Sequence, residues 1–368
     1  MKLSLTQENL SRALAVVGRA VSSRSSLPVL SNVLLTADKS RLRLSATNLE
    51  IGIHYRIGAK VETEGSVTIP ARLFTEFVSS LPSGNLDLQA ENNNLSIKTP
   101  HYESHLNGIS AEEYPLIPSV EGKPILVLPI SSFREALQRV VPAASLDETR
   151  PILSGVYIHK DEDELVIAAT DSYRLAERRI KLTDKPEGEL ELIVPARTIN
   201  ELIRVLGDGD GNVEIYLDDN QVMFRVEEVE LVSRLIEGQF PNYQQIIPKE
   251  TVTGFEIESS EFSRITKVAS LFARENNGSI RLEIKAEGEV RLISSDSEVG
   301  GNVSSAECEA LGEDGEIALN VRYLADALSS MQADRIQFAI SGKLNPCILR
   351  PIGRDSKSYF HIIMPLRT

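Results

Sequence analysis

Tryptophan is absent from the chain, and cysteine occurs only twice. Cys308 and Cys347 lie far apart and show no metal or redox spacing, so they read as reduced packing residues. No apolar run reaches the roughly 18 residues that a membrane span needs. The N-terminal MKLSLTQENLSRAL has no apolar segment followed by a small-residue cleavage site. A cytoplasmic protein with no membrane partner is the expectation. Histidine is scarce as well: His54, His101, His105, His159 and His361 are all there are. The 101/105 pair would come together only on a helix, and Pro100 with the repeat described next puts it on a strand. No metal and no cofactor are expected. Positive charge is in deficit, with 39 Lys and Arg against 53 Asp and Glu, a net charge of −14. Taken alone this argues against nucleic acid, because phosphate neutralisation needs Lys and Arg.

What the chain has is repetition. IPARLFTEFVSSL starts at Ile69, VPARTINELIRVL at Val194 and LNVRYLADALSSM at Leu319, so Pro70, Pro195 and Asn320 correspond at a spacing of 125 residues. A second series is SATNLE from Ser45, AATDSY from Ala168 and ISSDSE from Ile293. LPVLSNVLL and RPILSGVYI form a third, with a weaker echo in NGSIRLEIK. Such a period is too long for a solenoid unit and matches an independently folding domain. The boundaries fall near 122 and 250, giving units 1–122, 123–250 and 251–368.

Each unit reads as α+β, with two helices covering antiparallel sheet. Leu10, Leu14, Val17 and Val21 share one helical face. Phe133, Leu137, Val140 and Val141 do the same in the second unit, where Ser132 and Glu135 have capping-box spacing. Phe262, Ile265, Ala269 and Phe272 follow in the third. Opposite these apolar seams, at 100° per residue, lie basic residues. They are Arg12 and Arg19; Arg72; Arg139 with Arg134 on its flank; Arg197 and Arg204; Arg264 and Lys267; and Arg322. The helices sum to roughly +5, leaving about −19 elsewhere, a segregation that suits loose contact with phosphate rather than wrapping.

With three such units and the phrases RPILSGV, AATDSYRLA, EGQFPNYQQIIP and HIIMPLRT, the chain resembles the bacterial DNA sliding clamps, the beta subunits of replicative DNA polymerase. The resemblance covers the whole chain. It implies a head-to-tail homodimeric ring with helices inside and sheets outside. Such a ring encircles double-stranded DNA without sequence preference and tethers the polymerase catalytic subunit, performing no chemistry itself. Tethering works through effective concentration. Other implied partners are the clamp loader complex and clamp-binding repair proteins.

The resemblance also implies a pocket between the second and third domains that receives a short partner peptide. The matching positions begin with Leu153, followed by Thr170, Ser172, Tyr173, Arg174 and Leu175 in the AATDSYRLA stretch. Pro241 and Ile246 follow, then Asn320 and Tyr323, then Leu344 and Pro346. The C-terminal set is Ile362, Ile363, Met364, Pro365, Leu366 and Arg367. Aliphatic walls and a pliable Met suit varied side chains, and Arg174 and Arg367 would orient peptide carbonyls or acids. Arg174 has no basic equivalent in the third repeat, where the register reaches Val299. Tyr173 stands where His is usual and Gln245 where Arg is usual, which implies a different peptide preference. Arg24 and Arg72 match DNA contacts of the family, whereas Asp147 stands at a loop contact that is Gln in some members and would repel phosphate. Leu271, on the polar side of its helix, and Phe272 match the dimer seam and would meet Leu106 of a second copy.

Three other readings fail on the residues. GDGDGN at 207–212 with Asp219 mimics a calcium loop, but Val213 occupies the required sixth-position Gly. Asp171 could pose as a catalytic acid, yet no nucleophile or His recurs near it, and its counterparts Asn48 and Asp296 suggest a turn role. An enzyme on a repeated scaffold would carry one asymmetric cluster of titratable groups, and none is found. A scaffold that binds only proteins leaves the basic helix faces without a purpose.

Overall fold

The computed structural model describes residues 1–22, 27–183, 188–218, 220–273, 277–296 and 300–367. Arg24, Asp219 and Val299 therefore lie outside the described residues. Six α-helices are present among them: α1 Gln7–Val17, α2 Ala71–Ser80, α3 Ile130–Val140, α4 Ala196–Leu206, α5 Ser259–Phe272 and α6 Val321–Met331. Their number and order match the repeat pattern. Two boundaries differ. α1 ends at Val17 and tightens into a 3-10 turn over Gly18–Ala20, which takes Val21 out of helical register. α3 begins at Ile130, so Ser132 sits inside the first turn instead of capping it. Over the observed bounds the helices hold nine basic and six acidic residues, an excess of +3 rather than roughly +5, because Glu8 and Glu261 fall within them.

Contacts divide the chain into two units, one of Met1–Ser131 with Glu201–Leu235, the other of Ser132–Asn200 with Ile236–Thr368. The first holds two antiparallel sheets. An eight-stranded one runs Leu126–Pro129, Asn212–Asp218, Gln221–Val226, Val229–Arg234, Ile51–Gly58, Arg41–Thr47, Asn32–Asp38, Gly65–Pro70. A five-stranded one runs Lys60–Thr63, Lys2–Thr6, Asn85–Glu91, Asn94–Lys98, Glu103–Asn107. Leu10, Leu14 and Val17 of α1 and Phe74 and Val78 of α2 are buried. Each large apolar side chain withdrawn from water in this way contributes on the order of 1.5–3 kcal/mol.

The second unit repeats the plan. Its nine-stranded sheet runs Glu191–Pro195, Gly155–Asp161, Glu164–Thr170, Arg174–Lys181, Tyr359–Ile363, Cys347–Pro351, Arg335–Ile340, Thr253–Glu258, Glu309–Gly312. Its four-stranded sheet runs Gly300–Glu307, Glu289–Asp296, Ser279–Lys285, Gly315–Asn320. Phe255, Phe262 and Phe338 form an aromatic cluster in the core beneath α5, with centroid separations of 5.2–6.1 Å.

Two strand pairs join one sequence repeat to the next, and they have the same construction. In the first unit Ile51–Gly58 pairs with Val229–Arg234, placing Gly52 opposite Val232 and Ile51 opposite Ser233. In the second unit Arg174–Lys181 pairs with Tyr359–Ile363, placing Leu175 opposite Ile362 and Arg174 opposite Ile363. Each larger sheet therefore runs through a repeat boundary. The strands left over in this scheme are Glu103–Asn107 of the first repeat and Gly300–Glu307 of the third. Each is the edge of its sheet.

Candidate functional site

The AATDSYRLA stretch folds as a strand, a tight turn and a second strand. Thr170 Oγ1 donates to the Arg174 carbonyl at 2.6 Å and accepts from Ser172 N at 3.2 Å. Asp171 Oδ1 accepts from Tyr173 N and Arg174 N at 2.9 and 3.0 Å. Asp171 thus holds a turn, as its sequence pattern suggests. Ser172 sits at φ 78°. The turn leaves Tyr173 58 % exposed and drives Arg174 inward. Arg174 Nε bonds Asp171 Oδ2 at 3.0 Å, Nη1 bonds Asp326 Oδ2 of α6 at 2.5 Å, and the guanidinium lies 4.6 Å from the Tyr323 ring centroid. Arg174 is 8 % exposed, with Nε and Nη1 engaged by Asp171 and Asp326, and it still lines the cleft beside Tyr173. It fixes the loop and Tyr323, whose ring lies nearly parallel to Tyr173 at 6.4 Å.

The C-terminal segment threads past this loop. Met364 N donates to the Tyr173 carbonyl and Leu366 N to the Ala318 carbonyl, both at 2.8 Å. Two clefts are present here, one at the loop and one at the segment. One, of about 280 Å³, is lined by Leu146, Asp147, Arg150, Tyr173, Arg174, Arg322 and Tyr323 among others. The other, of about 400 Å³, is lined by Ile280, Arg281, Ile293, Ala318, Leu344 and Leu366 among others. The residues expected to form one pocket divide between them. Leu175, Ile362 and Ile363 are fully buried and back the site without lining it. Thr170 and Leu153 are also buried, and Ile246 packs on the core around Leu175 and Phe240. Asn320 caps α6, its Oδ1 accepting from Arg322 N at 2.9 Å. Pro365 is half-buried; Pro241 and Arg367 are exposed.

Sequence reasoning missed Asp326, Ala318, Ile280 and Arg150. Only Asp326 carried a signal, an acid on the helix that also bears Tyr323. Asp147 Oδ1 accepts from Thr149 Oγ1 and N, which holds its carboxyl below the usual range and keeps a negative charge on this loop.

The basic helix residues are exposed on every helix except α3. Arg12, Lys267 and Arg322 are exposed and in no ion pair among the described residues. Arg72 pairs with Glu76 at 2.9 Å, and Arg197, Arg204 and Arg264 pair with Glu148, Glu201 and Glu261. Arg19, on the 3-10 turn after α1, lies 3.9 Å from Glu201. On α3 the expectation fails. Arg139 is 4 % exposed, bonded to Glu135 at 2.9 Å and Asp355 at 3.0 Å, with Tyr359 beneath it. Arg134 is half-buried. The segment carrying Asp355 and Tyr359 covers a second face of α3, so the side opposite its apolar seam is interior.

At the proposed seam, Leu271 is 53 % exposed, as expected, and Phe272 is half-buried. Leu106 is 8 % exposed, opposite Leu95 on the edge strand Glu103–Asn107.

Three family models match in succession: the DNA polymerase III beta subunit N-terminal domain over residues 1–118, the central domain over 127–242 and the C-terminal domain over 244–367. The beta sliding clamp of Synechococcus elongatus is 35 % identical over all of this chain and 99 % of its own. The chain belongs to the bacterial beta sliding clamp family. The crystal structure of the Bacillus subtilis sliding clamp superposes with a TM-score of 0.95 at 29 % identity, covering 100 % of this chain and 99 % of that one. A Pseudomonas aeruginosa sliding clamp bound to griselimycin superposes at 0.93 and 26 % identity, with both chains fully covered. The beta sliding clamp fold accounts for the threefold recurrence and for helix pairs set on antiparallel sheets. Among the described residues no helix is long and apolar enough to cross a membrane, and no cluster of three or more metal-ligating side chains occurs.

Proposed function

We propose that this clamp-family chain is a processivity factor. Two copies close head to tail around duplex DNA and tether the polymerase through the cleft beside Tyr173 and the C-terminal segment. The observation that carries the reading is the repeated strand joint. Two joints of one construction link three repeats, and the same rule applied once more pairs Gly300–Glu307 of one copy with Glu103–Asn107 of the next. Unpaired strand edges of this length are templates for association, and two such pairings per dimer close a ring. The domains are 1–122, 123–250 and 251–368, each one repeat.

The channel contacts are Arg12, Arg19, Arg72, Arg197, Arg204, Arg264, Lys267 and Arg322, and Arg24 is added to them on its match to the family alone. Several of these are already paired with carboxylates, which supports weak, sliding contact over tight phosphate binding. Such contacts position without reading bases. The clamp loader and repair proteins share the Tyr173 cleft as alternative occupants. The test is retention on nicked circular DNA after loading, with release on linearisation. Equal retention on both forms rejects encirclement. Removing residues 364–368 should abolish binding of a peptide with Gln followed by Leu and Phe while native mass still reports a dimer. Full affinity in the truncated dimer rejects the cleft.

A further inference from the structure

The turn that builds the Tyr173 cleft occurs a second time, in the first unit. Thr47 Oγ1 donates to the Ile51 carbonyl at 2.8 Å and accepts from Leu49 N at 3.0 Å. Asn48 Oδ1 accepts from Glu50 N and Ile51 N at 3.0 and 2.8 Å. Leu49 sits at φ 77°, matching Ser172 at 78°. The neighbouring strand leaves along the same path, since Arg234 N donates to the Glu50 carbonyl at 3.3 Å where Met364 N donates to that of Tyr173. Beside this turn lies a cleft of about 280 Å³.

Three features mark it as more than an echo of the repeat. A bulky residue in the left-handed region is strained, yet here the strain holds Leu49 52 % exposed. Leu116, across the cleft, is 92 % exposed. Gly52 replaces Leu175, and a Cβ there would collide with Ile117, which occupies the vacated space. Charge differs too. The buried Arg174 has become Ile51, so the inner wall is neutral. The rim carries Glu50 and Arg234, one charge of each sign, both exposed and neither in an ion pair among the described residues.

We infer that this cleft is a second docking site, for an extended partner peptide whose large apolar side chain is flanked by one basic and one acidic residue. The apolar side chain sits against Leu49, Leu116 and Val232, while the flanking charges meet Glu50 and Arg234. This rests on the reading of the Tyr173 cleft as a peptide site. It predicts that the two sites select differently, by flanking charge here and by the Tyr173–Tyr323 surface there.

The probe is a fluorescein-labelled, amidated Gly-Lys-Leu-Phe-Asp-Gly peptide, titrated by anisotropy into the full chain. Leu116→Ser and Arg234→Glu change exposed side chains and spare the core. Each should weaken binding at least tenfold, and Leu344→Glu, in the Leu344–Leu366 cleft of the second unit, should not. The uncharged analogue Gly-Gln-Leu-Phe-Asn-Gly should bind the first-unit cleft at least fivefold more weakly. Unchanged binding by the Leu116→Ser, Arg234→Glu double variant overturns the inference. Loss on Leu344→Glu alone also overturns it and leaves the Tyr173 reading intact. A changed native mass in the double variant assigns the cleft to a copy–copy contact and likewise overturns it. Separately, a Gln-Leu-Phe peptide that fails to bind the parent chain sinks the Tyr173 reading by itself.

Discussion

Nη1 of Arg139 lies 3.0 Å from a carboxylate oxygen of Asp355, residues 216 positions apart in the chain, and the same guanidinium lies 4.9 Å from the Tyr359 ring centroid. Asp355 also bonds Arg178 at 3.0 Å, and Glu135 bonds both arginines. Tyr359 Oη, 2.7 Å from His361 Nε2, reaches the Ser330 carbonyl at 3.1 Å and that of Arg139 at 3.3 Å. The cluster ties α3 to α6 and to the last strand.

Removing Arg139 leaves Asp355 and Glu135 with Arg178 alone and strips the guanidinium from the Tyr359 ring, a loss of buried charged hydrogen bonds that costs about 1–3 kcal/mol. Arg139→Ala should therefore lower unfolding stability on that scale. Charge reversal at Arg12, Lys267 or Arg322 should leave stability within roughly 0.5 kcal/mol and instead shorten residence on circular DNA, most visibly at low salt. Denaturant unfolding and residence measured side by side separate the two classes. Residence unchanged at every salt concentration would remove these three residues from the channel.

The seam prediction concerns Leu271 and Phe272. An exposed leucine on a polar helix face needs a partner, and central apolar anchors carry much of an interface's energy. Leu271→Ala with Phe272→Ala should weaken dimerisation by about 2 kcal/mol or more. Sedimentation at nanomolar concentration reads the shift, and an unchanged dimer there rejects the assignment. Leu106→Ala should act differently: because Leu106 is buried against its own sheet, its loss should lower monomer stability as well.

The repeat, the six helices and the turn at Asp171 were legible because each depends on residues close in sequence. Spacing and Asx chemistry suffice for them, and Asn48 repeats the Asp171 turn with the same two backbone bonds. Arg139 was not legible. A helical wheel supposes one buried face, and what covers the second face of α3 comes from Asp355 and Tyr359, far along the chain. The ion pair of Arg174 was not legible for a similar reason, since its partner Asp326 belongs to another repeat. Leu106 alternates with exposed neighbours, but its burial depends on the strand opposite. Short-range pattern identifies elements and turns; it does not reveal which polar side chains long-range contacts will enclose.

Two buried histidines set an acid limit. His54, bonded to Ser45 Oγ at 2.8 Å, is held down to about 4 by burial and then by Arg43. His361 is held down to about 3, chiefly by burial. Both stay neutral in the folded chain while the unfolded chain takes up protons below about pH 6.5. Stability from this source is thus full above pH 6.5 and falls as pH drops towards 4 for His54 and 3 for His361. At pH 5 the loss should be about 2 kcal/mol for each histidine. His54→Gln and His361→Gln should each flatten stability between pH 6.5 and 5 relative to the parent, as read by urea midpoints. Parallel curves for parent and variants would reject the assignment.

The peptide cleft gives the last prediction. Asp171 does two things: Oδ1 closes the turn, and Oδ2 holds Arg174, whose guanidinium in turn carries Tyr323 beneath Tyr173. Asp171→Ala removes both and leaves a buried guanidinium with a bond to Asp326 alone. It should cost about 1–3 kcal/mol in stability and weaken a Gln-Leu-Phe peptide more than tenfold. Asp171→Asn is the discriminating change. Asn48 shows that an amide closes the same turn, so the loop should keep its shape while the ion pair is lost. A loss of about threefold to tenfold in affinity, corresponding to roughly 0.6–1.4 kcal/mol, is expected, with little change in thermal midpoint. Anisotropy titration of parent, Asp171→Asn and Asp171→Ala should therefore give three graded affinities. If Asp171→Ala bound the peptide as tightly as the parent, the Arg174–Tyr323–Tyr173 arrangement would have no part in recognition, and the Leu344–Leu366 cleft would have to carry it alone.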